Sequence, residues 1–92
     1  MIIEMKTIDF TRINNDFYGN PRVVCHFFDL LTEDEIQNND LSTSYNIAVK
    51  RANKIGGRKY HTKKYGGGIV FQDKGEKILT EHINKIIKEE TK

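Results

Sequence analysis

Ninety-two residues, 37% hydrophobic and 30% charged, suffice for one domain whose core lies near the lower size limit for unassisted folding. No apolar run approaches the ~20 residues of a membrane span, no basic n-region precedes an apolar stretch at the N-terminus, and Cys25 alone allows neither an internal disulfide nor a cysteine-based zinc site. These features predict a single domain over residues 1–92 in a reducing cytoplasm, with no membrane contact, metal or cofactor.

The formal net charge of +2 conceals a segregation. Residues 1–44 hold three basic groups against eight acidic ones, residues 45–72 hold seven basic groups and no acid, and residues 73–92 hold five of each. Two such segments, if both are exposed, make a dipolar surface that steers charged partners. The alternative is that they face each other or are simply solvated.

In chain order, residues 2–13 (IIEMKTIDFTRI) read as a strand rich in β-branched side chains. Ile3 and Met5 share one parity and Ile8 and Phe10 the other, so either a bulge lies near Lys6 and Thr7 or only the second half is buried. The turn formers of NNDFYGNP (residues 14–21) predict a hairpin loop. RVVCHFFDLL (residues 22–31) is the strongest strand signal, with Val23, Cys25 and Phe27 on one face and Val24, His26, Phe28 and Leu30 on the other. Apolar residues on both faces predict a central strand, or one face offered to a partner or a second copy of the chain. TEDEIQNND (residues 32–40) reads as an acidic loop with room for a short helical turn.

A helix is expected from Ser42 or Ser44 to Ile55, capped by Ser or Thr and ended by Gly56. Tyr45, Ala48, Val49, Ala52 and Ile55 make its buried stripe, with Lys50, Arg51 and Lys54 on the other side. A short strand at residues 69–72 precedes a second helix, for which Asp73 and Glu76 have capping-box spacing. Ile78, Leu79, His82, Ile83, Ile86 and Ile87 form its stripe, and the charged tail at about 88–92 is expected to fray. The order ββαβα predicts an α+β fold of two layers: a small, largely antiparallel sheet with two helices on one face.

The most informative segment is GGRKYHTKKYGGG (residues 56–68). Lysine and arginine neutralise phosphates, Tyr60, His61 and Tyr65 can stack on unpaired bases, and glycine lets backbone approach a ligand. The plainer reading is an exposed hairpin whose tyrosines pack on the sheet. The chain lacks both G-x-x-x-x-G-K-[ST] and a G-x-G-x-x-G between strand and helix, so nucleotide hydrolysis lacks its parts. Cys25 and His26 are neighbours on a strand, point to opposite faces and cannot share a proton, which removes a catalytic thiol. His26, His61 and His82 lack helical ligand spacing. No enzymatic constellation stands out.

GNPRVVCHF (residues 19–27), GGRKY (residues 56–60) and GGGIVFQ (residues 66–72) resemble the GNPRxVxHF…GGxKY…GGGIVFQ pattern of small proteins carried by bacteriophages and mobile elements. The resemblance covers about residues 12–72, with Cys25 and Thr62 departing from the pattern. It implies a genomic setting in which DNA or RNA binding and inhibition of host defence are usual roles.

The expected function is therefore a non-enzymatic phage accessory protein. It would bind nucleic acid through residues 50–68, using Lys50, Arg51, Lys54, Arg58, Lys59, Tyr60, His61, Lys63, Lys64 and Tyr65. The alternative is a protein that inhibits a host defence nuclease or CRISPR effector, in the manner of an anti-CRISPR. There Asp29, Glu33, Asp34, Glu35 and Asp40 would mimic nucleic acid, or the basic loop would grip an acidic partner.

Overall fold

Turn chemistry sets the first hairpin. Strand β1 (Thr11–Ile13) pairs antiparallel with β2 (Arg22–His26). Between them the Asp16 carboxylate accepts hydrogen bonds from the backbone N–H groups of Tyr18 and Asn20, both at 2.9 Å, and Gly19 turns the chain at φ +83°. The computed structural model describes residues 7–61 and 67–91. The first half of the expected strand 2–13 and the Lys6 side of its bulge lie outside those residues. Of the remainder only three residues pair, while Ile8 is buried and Phe10 packs edge-on against Phe71.

The sheet has four antiparallel strands in the order β1-β2-β4-β3, completed by β3 (Arg58–Tyr60) and β4 (Gly68–Gln72). Register places Val23 opposite Phe71 and Cys25 opposite Ile69 on one face. Those four join Ala48 and Ala52 of α2 (Leu41–Lys54) and Leu79, Ile83 and Ile87 of α3 (Glu76–Glu90) in one buried cluster. Val24 is buried outside that cluster, on the opposite face with Arg22, Val70, Arg58 and Tyr60. The two-layer α+β fold expected from the sequence is thus present. Its five elements keep their order, with β3, a short helix α1 (Glu33–Asn38) and a 3-10 turn added.

The strand expected over residues 22–31 stops at His26, where the 3-10 turn (Phe27–Leu30) begins. His26 Nδ1 accepts from the Phe28 N–H at 3.1 Å and Leu31 N–H donates to the Phe28 carbonyl at 3.1 Å, so both ends of the turn are capped. Strand alternation ends there. Phe27, Leu30 and Leu31 all turn into the core, and Leu30 sits with Val23 and Cys25 rather than with Val24.

The helical part allowed for the acidic segment is present as α1, over Glu33–Asn38. Thr32 and Glu35 form a reciprocal capping box at the start of α1. Helix α2 is capped by Asp40, whose carboxylate accepts from Thr43 N–H at 2.7 Å, rather than by Ser or Thr. Gly56, at φ +88°, ends it as expected. Gly57 follows because a Cβ there would stand 2.5 Å from the Phe71 ring.

Helix α3 has Gly75 at its N-cap with no side-chain cap. The Asp73 carboxylate bonds the Gly75 N–H at 3.0 Å instead of capping the helix with Glu76. Ile78 and His82 are exposed and do not belong to the buried stripe. The helix runs through Glu90, which pairs with Arg51. Among the described residues no helix is long and apolar enough to cross a membrane.

Phe27 and Phe28 test the turn. Phe27 is buried against Tyr45 (ring centroids 5.2 Å apart), so Phe27→Ala should cost about 3–5 kcal/mol, much of what holds a domain of this size. Half-buried Phe28 should cost only about 1 kcal/mol on the same change. Thermal melts separate the two, and equal losses would contradict the turn.

Candidate functional site

The expected basic patch on α2 is partly consumed by the fold. Arg51 is buried. Its Nη1 donates to Leu30 O and to Glu35 Oε1, each at 2.8 Å, Nη2 donates to Glu35 Oε2 at 2.6 Å, and Nε donates to Glu90 Oε1 at 3.3 Å. Four of the five guanidinium N–H donors are thus engaged inside the fold, and burial closes the group to a phosphate in solvent. Position 51 lies one turn from Ala48 and Ile55, on the buried side of the helix, which corrects its placement with the solvated lysines. Lys54 reaches Glu90 Oε2 at 2.7 Å from an exposed position, and Lys50 is exposed.

Strand β3 splits the next group by parity. Arg58 and Tyr60 lie on the face away from the helices, and Lys59 lies on the other. His61 is exposed, and Lys63, Lys64 and Tyr65 lie outside the described residues.

The acidic set is dispersed in the same way. Glu35 is held by Arg51 and Asp40 caps α2. Glu33 and Asp34 are exposed in the first turn of α1, and Asp29 sits in the 3-10 turn. Among the described residues no three His, Cys, Asp or Glu side chains are grouped to hold a metal. Cys25 is buried on the inner face, and His26 lies on the outer one. Burial lowers the His26 pKa against the opposing charge of Asp29, consistent with its unprotonated Nδ1 accepting a hydrogen bond.

What the fold assembles instead is a groove of about 440 Å³ in which Arg22, Arg58 and Lys74 converge, with Gln72 and Val70 between them. Arg22 starts β2, Arg58 starts β3 and Lys74 follows β4, so sheet register brings together cations that the sequence separates. Arg22 Nε donates to Asn14 O at 2.9 Å, and its guanidinium carbon stands 5.9 Å from the Tyr60 ring centroid, within cation–π range. The carboxylate lining the groove is Asp16, which the N–H groups of Asn20 and Tyr18 already engage. The bond from Asn20 N–H is the largest cause of its lowered pKa. At the opposite end of the sheet, His26, Phe28, Leu41, Tyr45 and His61 line a more apolar groove of about 530 Å³.

A family model described as Staphylococcus phage terminal repeat-encoded protein TreK matches residues 1–91. The chain belongs to that family. The TreK match extends beyond the segments of the phage-protein resemblance to take in the acidic helix α1 and the whole of α3. No curated protein and no solved structure matches the chain.

Two pairs of groups escaped local sequence reading. Arg22 and Lys74 lie outside the basic segment 45–72, and only strand register brings them beside Arg58. Phe17 and Tyr18 at the hairpin tip are 97% and 85% exposed. Two aromatics in the middle of a polar turn were the available signal.

The Arg51 cluster yields two tests. Arg51→Ala leaves a half-buried carboxylate and a carbonyl without their partner and should cost about 3–5 kcal/mol, whereas Lys54→Ala, at an exposed pair, should cost less than about 1 kcal/mol. Chemical denaturation of the two variants measures both. Hydrogen bonds from Arg51, opposed by burial and aided by Thr32, bring the Glu35 pKa from 4.5 down to about 2. A carboxylate held below its unfolded value stabilises the fold above that value, and the contribution is lost as pH falls through the folded one. Melting temperature should therefore drop between about pH 5 and pH 2, and Glu35→Gln should flatten that part of the profile.

Proposed function

We propose that the chain is a non-enzymatic nucleic-acid-binding protein of the phage, acting in the cytosol of the infected cell. It takes phosphates along the groove lined by Arg22, Arg58 and Lys74. The observation that carries this reading is the convergence of three cations from three separate segments on one groove whose carboxylate is already occupied by N–H donors. Tyr60 stands beside them on the same sheet face, and the segment bearing Lys63, Lys64 and Tyr65 joins β3 to β4. Arginine supplies a planar fork of donors suited to phosphate oxygens, and lysine supplies a point charge. This reading keeps Arg58 and Tyr60 of the expected segment 50–68, leaves out Arg51, and adds Arg22 and Lys74 at the sheet end. The competing reading, inhibition of a host nuclease or CRISPR effector by an acidic surface, retains exposed Glu33 and Asp34 but gives up Glu35 and Asp40 to the fold.

Fluorescence anisotropy with short single- and double-stranded DNA and RNA tests the proposal. Affinity should fall steeply with salt as condensed counterions are released. Arg58→Ala combined with Lys74→Ala should weaken binding to every substrate and lower the log–log salt slope by about 0.7–0.9 for each phosphate no longer neutralised. Lys88→Ala on α3 should change little. Absence of binding to all four substrates at ~50 mM salt overturns the reading and favours the protein inhibitor.

A further inference from the structure

The hairpin tip between β1 and β2 presents its two aromatic side chains to solvent, Phe17 at 97% and Tyr18 at 85% exposure. Rings so placed contribute nothing to the core, and side by side they form an apolar patch open to another molecule. The backbone beneath them is fixed. Asp16 N–H donates to Asn20 O at 2.9 Å, Gly19 N–H donates to Asp16 O at 3.0 Å, and the Asp16 carboxylate takes Tyr18 N–H, Asn20 N–H and the Asn20 amide. The rings are therefore held out by a built turn.

Their mutual geometry is specific as well. The centroids lie 5.6 Å apart at an interplanar angle of 89°. In an edge-to-face pair the edge of one ring covers one face of the other, leaving the first ring with both faces open and the second with one. An open ring face accepts a planar partner by stacking.

The position of the tip selects the partner. Asp16, the residue next to Phe17, lines the groove in which Arg22, Arg58 and Lys74 converge, so the turn that carries the rings borders that groove. A ligand that satisfies both features carries a row of phosphates and unstacked planar groups. A single-stranded nucleic acid has both, whereas a duplex keeps its bases stacked on one another.

We propose that the chain recognises single-stranded nucleic acid, with unpaired bases stacking on Phe17 and Tyr18 while the adjoining phosphates lie on Arg22, Arg58 and Lys74. This rests on the nucleic-acid reading of the groove and adds to it the strandedness of the ligand and the residues that select it.

The chain contains no tryptophan, so Phe17→Trp places a single indole at the tip as a probe. The exposed tip makes neither substitution a folding risk, which a thermal melt checks. With a fluorescein-labelled oligothymidylate of ~12 nucleotides and a duplex of matched length, the Phe17→Ala, Tyr18→Ala double variant should lose at least about tenfold in affinity for the single strand and change little on the duplex. Phe17→Trp should retain single-strand binding, and its emission should be quenched when unlabelled oligothymidylate is added to saturation. Equal losses on both substrates, unchanged single-strand affinity in the double variant, or an indole whose emission does not respond would each overturn the proposal. The groove reading would survive them, and the tip would then be assigned to a protein contact. A wild-type chain that binds neither substrate would overturn both.

Discussion

A single buried guanidinium ties the helical layer together. Arg51 leaves α2 and meets the carbonyl of Leu30 at the end of the 3-10 turn, the carboxylate of Glu35 in α1 and the carboxylate of Glu90 in the last turn of α3. Each contact comes from a different element, so α1, the 3-10 turn and α3 share one anchor. Buried pairs often contribute no more net stability than an apolar replacement of equal volume, because both charges lose water. It does fix where the elements meet, and α1 has no buried residue of its own to hold it. The six residues of α1 owe their position to this contact, to the Thr32 capping box and to half-buried Ile36 packed against the core.

That anchoring has an electrostatic side. The basic segment is partly neutralised by the fold, with Glu35 of the acidic segment on Arg51 and Glu90 of the C-terminal stretch on Arg51 and Lys54. The charge left on the surface is accordingly distributed differently from the charge in the sequence. The cations that converge are those which the sheet brings together across β2, β3 and the end of β4.

The layers were legible because periodicity carries them. Val23 and Cys25 alternate inward on a strand, Ala48 with Ala52 and Leu79 with Ile83 and Ile87 recur at helical spacing, and all of these reached the core. The 3-10 turn was not legible, since every residue of FFDL is compatible with a strand and the switch depends on a ring nitrogen of His26 capping the next turn. Arg51 is the more instructive case. Its spacing from Ala48 and Ile55 placed it on the buried side, and only its residue type suggested solvent. The candidate site was the least legible part, because Arg22, Arg58 and Lys74 become neighbours only through the pairing of β2 with β4 and β4 with β3. Aromatic residues inside the NNDFYGNP turn, by contrast, were visible from the start and told their story only once their exposure was known.

Both margins of the sheet are short and charged. The outer strands β1 and β3 have three residues each, and they carry Arg12 in one and Arg58 with Lys59 in the other. Brief, cationic edge strands resist pairing with the edge of another molecule, since like charges would be brought together along a ladder too short to repay them. A protein with such margins is guarded against edge-to-edge aggregation. Arg58 is one of these edge charges and also lines the groove, so solubility constrains the residue type at a position exposed to any ligand there.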